Sequence, residues 1–258
     1  MFLVAALITF PGRATAEDIF VDVELVLAVD VSRSMTPREL GIQRAGYAAA
    51  LTSPDVLAAI QSGPHGRVAI TYVEWAGSLS QRTVVEWTLV ATPADAEALA
   101  SRITAHFDNA LRRTSISGAI DHAATLFEGN GFRSLRRVID VSGDGPNNQG
   151  RPVTSARNAA VAQGIVINGL PLMTKEGLGA QWHLDDLDLY YQDCVIGGPA
   201  AFVIPVVNWA HFPDAVRQKL VLELVGLPPT RIVPVQSREP YDCLVGEKIW
   251  EEFINWPD

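Results

Sequence analysis

The sequence contains only two cysteines in 258 residues, Cys194 and Cys243, and neither belongs to a C-x-x-C pair. That excludes the closely spaced thiolates of a structural zinc site. The five histidines (His65, His106, His122, His183 and His211) form no i,i+4 pair and no H-E-x-x-H. Each reads as a surface or capping residue, with a core role for His122. There is no P-loop, no G-x-S-x-G and no lysine beside an acidic motif, so the usual phosphate cradles and serine nucleophiles are missing. Clustered positive charge is scarce as well. The net charge is −9 and the pI about 5.0, which excludes nucleic acid and anionic membrane as partners. The nearest basic cluster, Arg112–Arg113, reads as a solvated helix end. No transmembrane segment is expected in the mature chain, because the opening "MFLVAALITF" is too short to span a bilayer as a helix.

That opening stretch leads into "PGRATA", where Ala14 and Ala16 give the small-x-small pattern of a signal-peptidase site, although no basic residue precedes it. The expected organisation is a signal peptide at 1–16, a domain at 17–226 and a C-terminal extension at 227–258 tied to the domain. The mature protein is then exported, to the periplasm or beyond. Export permits a disulfide. One bridge between Cys194 and Cys243 is the simplest assignment; two buried free thiols are the alternative.

Strand and helix patterns alternate along the chain. "VELVLAV" (23–29) is a near-continuous apolar run, as in a strand covered on both faces. Thr36, Pro37 and Glu39 then supply a capping box with proline at the first helical position. "RVAITYVEW" (67–75) and "QRTVVEWTLV" (81–90) read as an antiparallel hairpin. Further helices start at Thr92–Pro93 and in "SGAIDHAATLF". "RRVIDVSGDG" (136–145), "IVINGLPL" and "AFVIPVV" read as strands, "DDLDLYYQD" as a short helix, and "FPDAVRQKLVLELVG" as a helix closed at Gly226. The fold class is α/β: a doubly wound, mostly parallel sheet with one antiparallel hairpin strand and helices on both faces.

Such sheets bind ligands at the carboxyl ends of their strands. Asp30, Ser32 and Ser34 in "LAVDVSRSM" lie at the end of the first strand, Asp144 in "SGDG" at the end of a later one, and Thr114 in "RRTSISGA" where a helix begins. The set Asp30-x-Ser32-x-Ser34, Thr114, Asp144 resembles the metal-ion-dependent adhesion site of von Willebrand factor type A domains, over roughly Val21 to Gly226. More narrowly, "VELVLAVDVSRSM", "TSISGAI", "IDVSGDGPNN" and "DCVIGG" resemble an uncharacterised family of exported bacterial proteins built on that domain. The resemblance implies a Rossmann-like von Willebrand A fold and a bound Mg²⁺, Mn²⁺ or Ca²⁺. Ser32 and Ser34 would be direct ligands, Thr114 a switchable one, and Asp30 and Asp144 outer carboxylates. It further implies a protein partner whose Glu or Asp carboxylate completes the coordination. One departure stands out. Many such domains carry threonine before the last aspartate, where this chain has Gly143.

Other acidic residues invite less. Asp185, Asp186, Asp188 and Asp193 lack the glycine and glutamate of a calcium loop and read as the solvated face of a helix. Asp140, inside an apolar strand, reads as a buried carboxylate satisfied by a neighbour, with a supporting role behind the site as the alternative. The resulting expectation is a metal-dependent, adhesion-type binding module and not an enzyme. The alternative is a Mg²⁺-dependent hydrolase of phosphate esters using Asp144 or Asp140 as base.

Overall fold

A computed structural model describes residues 17–105, 111–174, 183–226 and 240–255. The expected signal peptide and the first part of the extension, 227–239, lie outside the described residues. The strands and helices of the described residues follow in chain order as β1 (Ile19–Phe20), β2 (Glu24–Asp30), α1 (Pro37–Leu51), α2 (Pro54–Gln61), β3 (Val68–Trp75), β4 (Gln81–Val90), α3 (Pro93–Ala105), α4 (Ile116–Thr125), β5 (Phe132–Arg133), β6 (Arg137–Gly143), α5 (Val153–Ala162), β7 (Ile165–Pro171), α6 (Leu187–Tyr190), α7 (Phe212–Val225) and α8 (Val245–Ile254). Among the described residues, no helix is long and apolar enough to cross a membrane.

The main sheet has the order β4-β3-β2-β6-β7, with every pair parallel except β3–β4. This is the expected doubly wound sheet with one antiparallel hairpin. A small parallel pair, β1–β5, stands apart. All seven residues of β2 are buried, and their alternation divides the core. Leu25, Leu27 and Val29 face one way, into a cluster built with α1, α2, α3 and α7. Val26 and Ala28 face the other way, against α4, α5 and the segment around Tyr190–Tyr191. The chain winds outward from β2 to β3 and later from β2's other side through β6. The carboxyl ends of β2 and β6 therefore meet at the topological switch point, where open α/β sheets bind ligands.

Local chemistry fixes the boundaries. The capping box forms as expected: the Thr36 hydroxyl accepts from the Glu39 N–H at 3.3 Å, and Glu39 Oε2 accepts from the Thr36 N–H at 2.7 Å. Helix α2 was not expected. Pro54 holds Ser53 extended (φ −70°, ψ 147°), which ends α1, and the Ser53 hydroxyl then caps a new helix with Pro54 in its first turn. The segment 201–207, expected as a strand, pairs with the β7 side of the sheet only through isolated bridges at Val203 and Val206. Ile204 N–H donates to Gly169 O and Val206 N–H to Pro171 O, but Pro171 of β7 has no N–H to return to Ile204 O, so the ladder is interrupted between the two bridges. The expected short helix at 185–193 is α6 followed by a wider π-type turn, Tyr191–Val195. Within that turn Cys194 is bonded to Cys243, 49 residues later, as expected. The tail contains a helix, α8, that the sequence reading did not anticipate.

Candidate metal site

Asp30 ends β2 completely buried. Its Oδ1 accepts from the Ser32 N–H at 2.6 Å, which bends the chain out of the sheet and turns the next two hydroxyls towards the rim. Its Oδ2 is buried without a hydrogen-bond partner among the described residues. Ser32 Oγ and Ser34 Oγ stand 2.9 Å apart, and the Ser34 hydroxyl donates to Asp144 Oδ1 at 2.8 Å. Asp144 arrives from the end of β6.

Thr114 comes by another route. Leu111 pairs with Ser32 as a short parallel bridge, donating its N–H to Val31 O at 2.9 Å. Asn148 grips Thr114 from both sides: its Oδ1 accepts from the Thr114 N–H at 3.0 Å, and its own N–H donates to Thr114 O at 2.9 Å. Its neighbour Asn147 accepts from the Ser117 N–H at 2.9 Å, fixing the first turn of α4. Ser32, Ser34, Thr114 and Asp144 line one cavity of about 570 Å³, with Asp30 directly behind them.

The donor set suits a hard divalent cation. Adjacent oxygens around octahedral magnesium, with bonds near 2.0–2.1 Å, lie about 2.9 Å apart. The Ser32–Ser34 and Ser34–Asp144 separations of 2.9 and 2.8 Å are ordinary hydrogen-bond lengths that coincide with that edge, so a cation could replace the hydroxyl protons without moving the oxygens far. Electrostatics agree: burial, and next the charge of Asp144, push the Asp30 carboxyl well above its ordinary range. A cation between these groups would relieve both effects. Among the described residues no group of three or more His, Cys, Asp or Glu side chains is arranged to hold a metal. Hydroxyls must therefore supply much of any coordination here.

The departure at Gly143 has a steric cause. A Cβ on residue 143 would sit 2.9 Å from the Tyr191 hydroxyl, 3.0 Å from Asp30 Oδ2 and 3.2 Å from the Trp75 ring. Glycine is the residue that fits.

Several neighbours of the site went unread in the sequence. His183, expected at the surface or as a cap, lines the cavity with its Nε2 3.8 Å from Asp144 Oδ2. Arg112 and Arg113 are exposed, as read, but they stand at the mouth of the same cavity together with Arg33. His122 lies on α4, half-buried, and burial lowers its pKa. Asp186 accepts from the Tyr241 hydroxyl at 2.8 Å, tying the tail to α6, and is no part of the cavity.

Asp140 is not in the cavity either. It lies inside β6 on the side that faces α7, fully buried, 2.6 Å from Lys219 Nζ. Lys219 also bonds Glu223, whose Oε1 accepts from Asn168 Nδ2 at 2.9 Å. One cation faces two carboxylates in a dry site. Burial and the charge of Asp140 push Glu223 up to about 7, and burial raises Asp140 despite Lys219.

Comparison with known proteins places the family and the fold. Residues 20–228 match the model of a protein family of unknown function, DUF1194. No curated protein matches the sequence. Among solved structures, proximal thread matrix protein 1 of the mussel byssus, described with a zinc-occupied MIDAS motif, superposes with a TM-score of 0.55 at 16% identity, covering 81% of this chain and 49% of its own. The pilus adhesin SpaC of Lactobacillus rhamnosus GG gives 0.57 at 11% identity, over 81% and 31%. A von Willebrand factor type A protein from Catenulispora acidiphila gives 0.50 at 14%, over 79% and 43%. The chain thus spans about half, or less, of the length of these neighbours, and it shares the von Willebrand A fold with them.

Proposed function

We propose that this chain, which belongs to the DUF1194 family, is a metal-dependent protein-binding module of the adhesion type. Asp30, Ser32, Ser34, Thr114 and Asp144 would hold a divalent cation, Mg²⁺ or else Mn²⁺ or Ca²⁺. The observation that carries this reading is the trio Ser32, Ser34 and Asp144, spaced at 2.9 and 2.8 Å on an open rim. With neutral hydroxyls in direct contact and the two carboxylates farther out, the ion could still attract one more oxyanion. The bound ion would therefore supply Lewis acidity for one more oxyanion, a Glu or Asp carboxylate of a partner. The protein's part is to fix the hydroxyls through the Asp30 turn and the Asn148 grip. The adhesin among the structural neighbours supports the binding role, and the disulfide supports export into an oxidising compartment.

The test is a thermal melt of the purified protein with Mg²⁺, Mn²⁺, Ca²⁺ and Zn²⁺, repeated with Asp144→Ala and Ser32→Ala. A rise in Tm for the parent and none for the variants is expected. No rise with any ion at millimolar concentration refutes the reading. A second reading, hydrolysis of phosphate esters, has one observation in its favour, the closeness of His183 to Asp144. Metal-dependent turnover of a generic phosphate ester, lost in His183→Ala, would replace the first reading with this one.

A further inference from the structure

Helix α8 carries its apolar residues in an unusual place. Gly246, Ile249, Trp250 and Phe253 fall on one helical face at i, i+3, i+4 and i+7. A face of this kind ordinarily packs into a core. Here all four residues line the cavity that also holds Ser32, Ser34, Thr114 and Asp144. The helix is fastened at that position. Cys243, two residues before it, is bonded to Cys194. Gly246 passes so close to the 146–147 loop that a Cβ there would lie 2.1 Å from Asn147 O. Glu247 Oε1 accepts from Asn147 Nδ2 at 2.7 Å, the same asparagine that fixes the start of α4. One asparagine therefore links the apolar wall to the segment that delivers Thr114.

The rest of the mouth is basic. Arg33, Arg112 and Arg113 surround it in a chain of net charge −9. Arg113 takes a left-handed backbone conformation (φ 77°), rare for a side chain of its kind. Its guanidinium lies 3.5 Å from the centre of the Trp250 ring, a cation–π contact that joins the basic and aromatic parts.

We infer that α8 is the specificity wall of the binding cleft, and that the partner segment recognised is an acidic side chain followed closely by a large apolar one. This deepens the metal-dependent reading and rests on it. The carboxylate would reach the rim oxygens and their cation while the apolar side chain lies against Trp250 and Phe253. The arginines would favour the segment's overall negative charge.

Two capped heptapeptides with one glutamate each make the probe, one with leucine and phenylalanine after the glutamate, its twin with glycines there. Binding to the full chain is measured with Mg²⁺ and with chelator, alongside the Mg²⁺-induced thermal shift. The apolar peptide should bind the Mg²⁺-loaded protein at least about tenfold more tightly than its twin. Trp250→Ala and Phe253→Ser should shrink that preference to about twofold or less while keeping the thermal shift, and Trp250→Phe, which keeps a ring, should retain most of it. Equal binding of the two peptides, or no binding of either, to protein that does show the Mg²⁺ shift overturns the wall and leaves the metal reading standing. Absence of the shift itself overturns both.

Discussion

Asp140 and Asp144 lie four residues apart on and just beyond one strand, and they meet opposite electrostatic fates. Asp140 points into the core and finds Lys219 at 2.6 Å, so its counter-charge is part of the chain. Asp144 lies at the rim, where it meets the Ser34 hydroxyl at 2.8 Å and His183 Nε2 at 3.8 Å. The fold supplies a lysine where a charge would otherwise destabilise it. At the rim the chain supplies a hydroxyl instead of a lysine or arginine among the described residues, and under the proposed function a cation from solution would complete the balance. A buried ion cluster specifies structure, whereas a partly neutralised one can report on solution.

The contrast can be broken by substitution, and the largest effect should come from the core. Lys219→Met leaves Asp140 and Glu223 without their cation and should cost about 3–5 kcal/mol in urea unfolding. A loss below about 1 kcal/mol would show that both acids are already neutral and that the pairing is incidental. The rim's wall is held covalently. Cys243→Ser opens a loop of 49 residues and should cost up to about 4 kcal/mol, the chain-entropy limit for that length. A variant as stable as the parent would mean that α8 is held by its non-covalent contacts alone.

The rim should respond to solutes where the core does not. At a hundredfold excess of Mg²⁺ over its dissociation constant, the parent should gain about 2.7 kcal/mol. Asp144→Ala should remove that gain, and without metal should melt within about 1 kcal/mol of the parent, since Asp144 forms no ion pair with a lysine or arginine among the described residues. If Lys219→Met also abolished the metal gain while folded, the two sites would be coupled and the contrast too sharp.

The last effect is a slope with pH. Glu223 is raised from its ordinary value to about 7, mainly by burial, so the folded protein holds a proton there that the unfolded chain releases near 4.5. Stability from this group is complete below that lower value and is lost as pH rises through about 7. Glu223→Gln should remove a negative slope of at most about 1.4 kcal/mol per pH unit between those limits. Parallel stability curves for the variant and the parent would refute the assignment.

Much of this could be read before any coordinates. The β2 run, the Thr36 capping box and the β3–β4 hairpin are local patterns; strand ends place Asp30, Ser32, Ser34 and Asp144 on one edge, and the resemblance to the adhesion-site motif adds Thr114 at a helix start. What escaped is non-local or runs against the usual rule. An aspartate inside an apolar strand announces that it needs a partner, but nothing local says which of 20 lysines and arginines answers; Lys219 sits in the middle of an ordinary helix. His183 follows no motif, and only the return of the chain brings it beside Asp144. Helix α8 was missed because its apolar face lines a cavity instead of belonging to either of the two main core clusters. The segment 201–207 has the composition of a strand, but its partner β7 ends on Pro171, which has no N–H to give it, and the ladder breaks there.

Gly143 has a consequence for heredity. The space that a side chain there would need is taken by the Tyr191 hydroxyl at 2.9 Å and, next to it, by Asp30 Oδ2 at 3.0 Å. Threonine at 143 and tyrosine at 191 are therefore alternatives for one small volume. A lineage moving from one arrangement to the other has to change the tyrosine first or pass through a clash. Relatives that carry threonine before the aspartate should carry something smaller than tyrosine 48 positions later, and the two columns should vary as a pair.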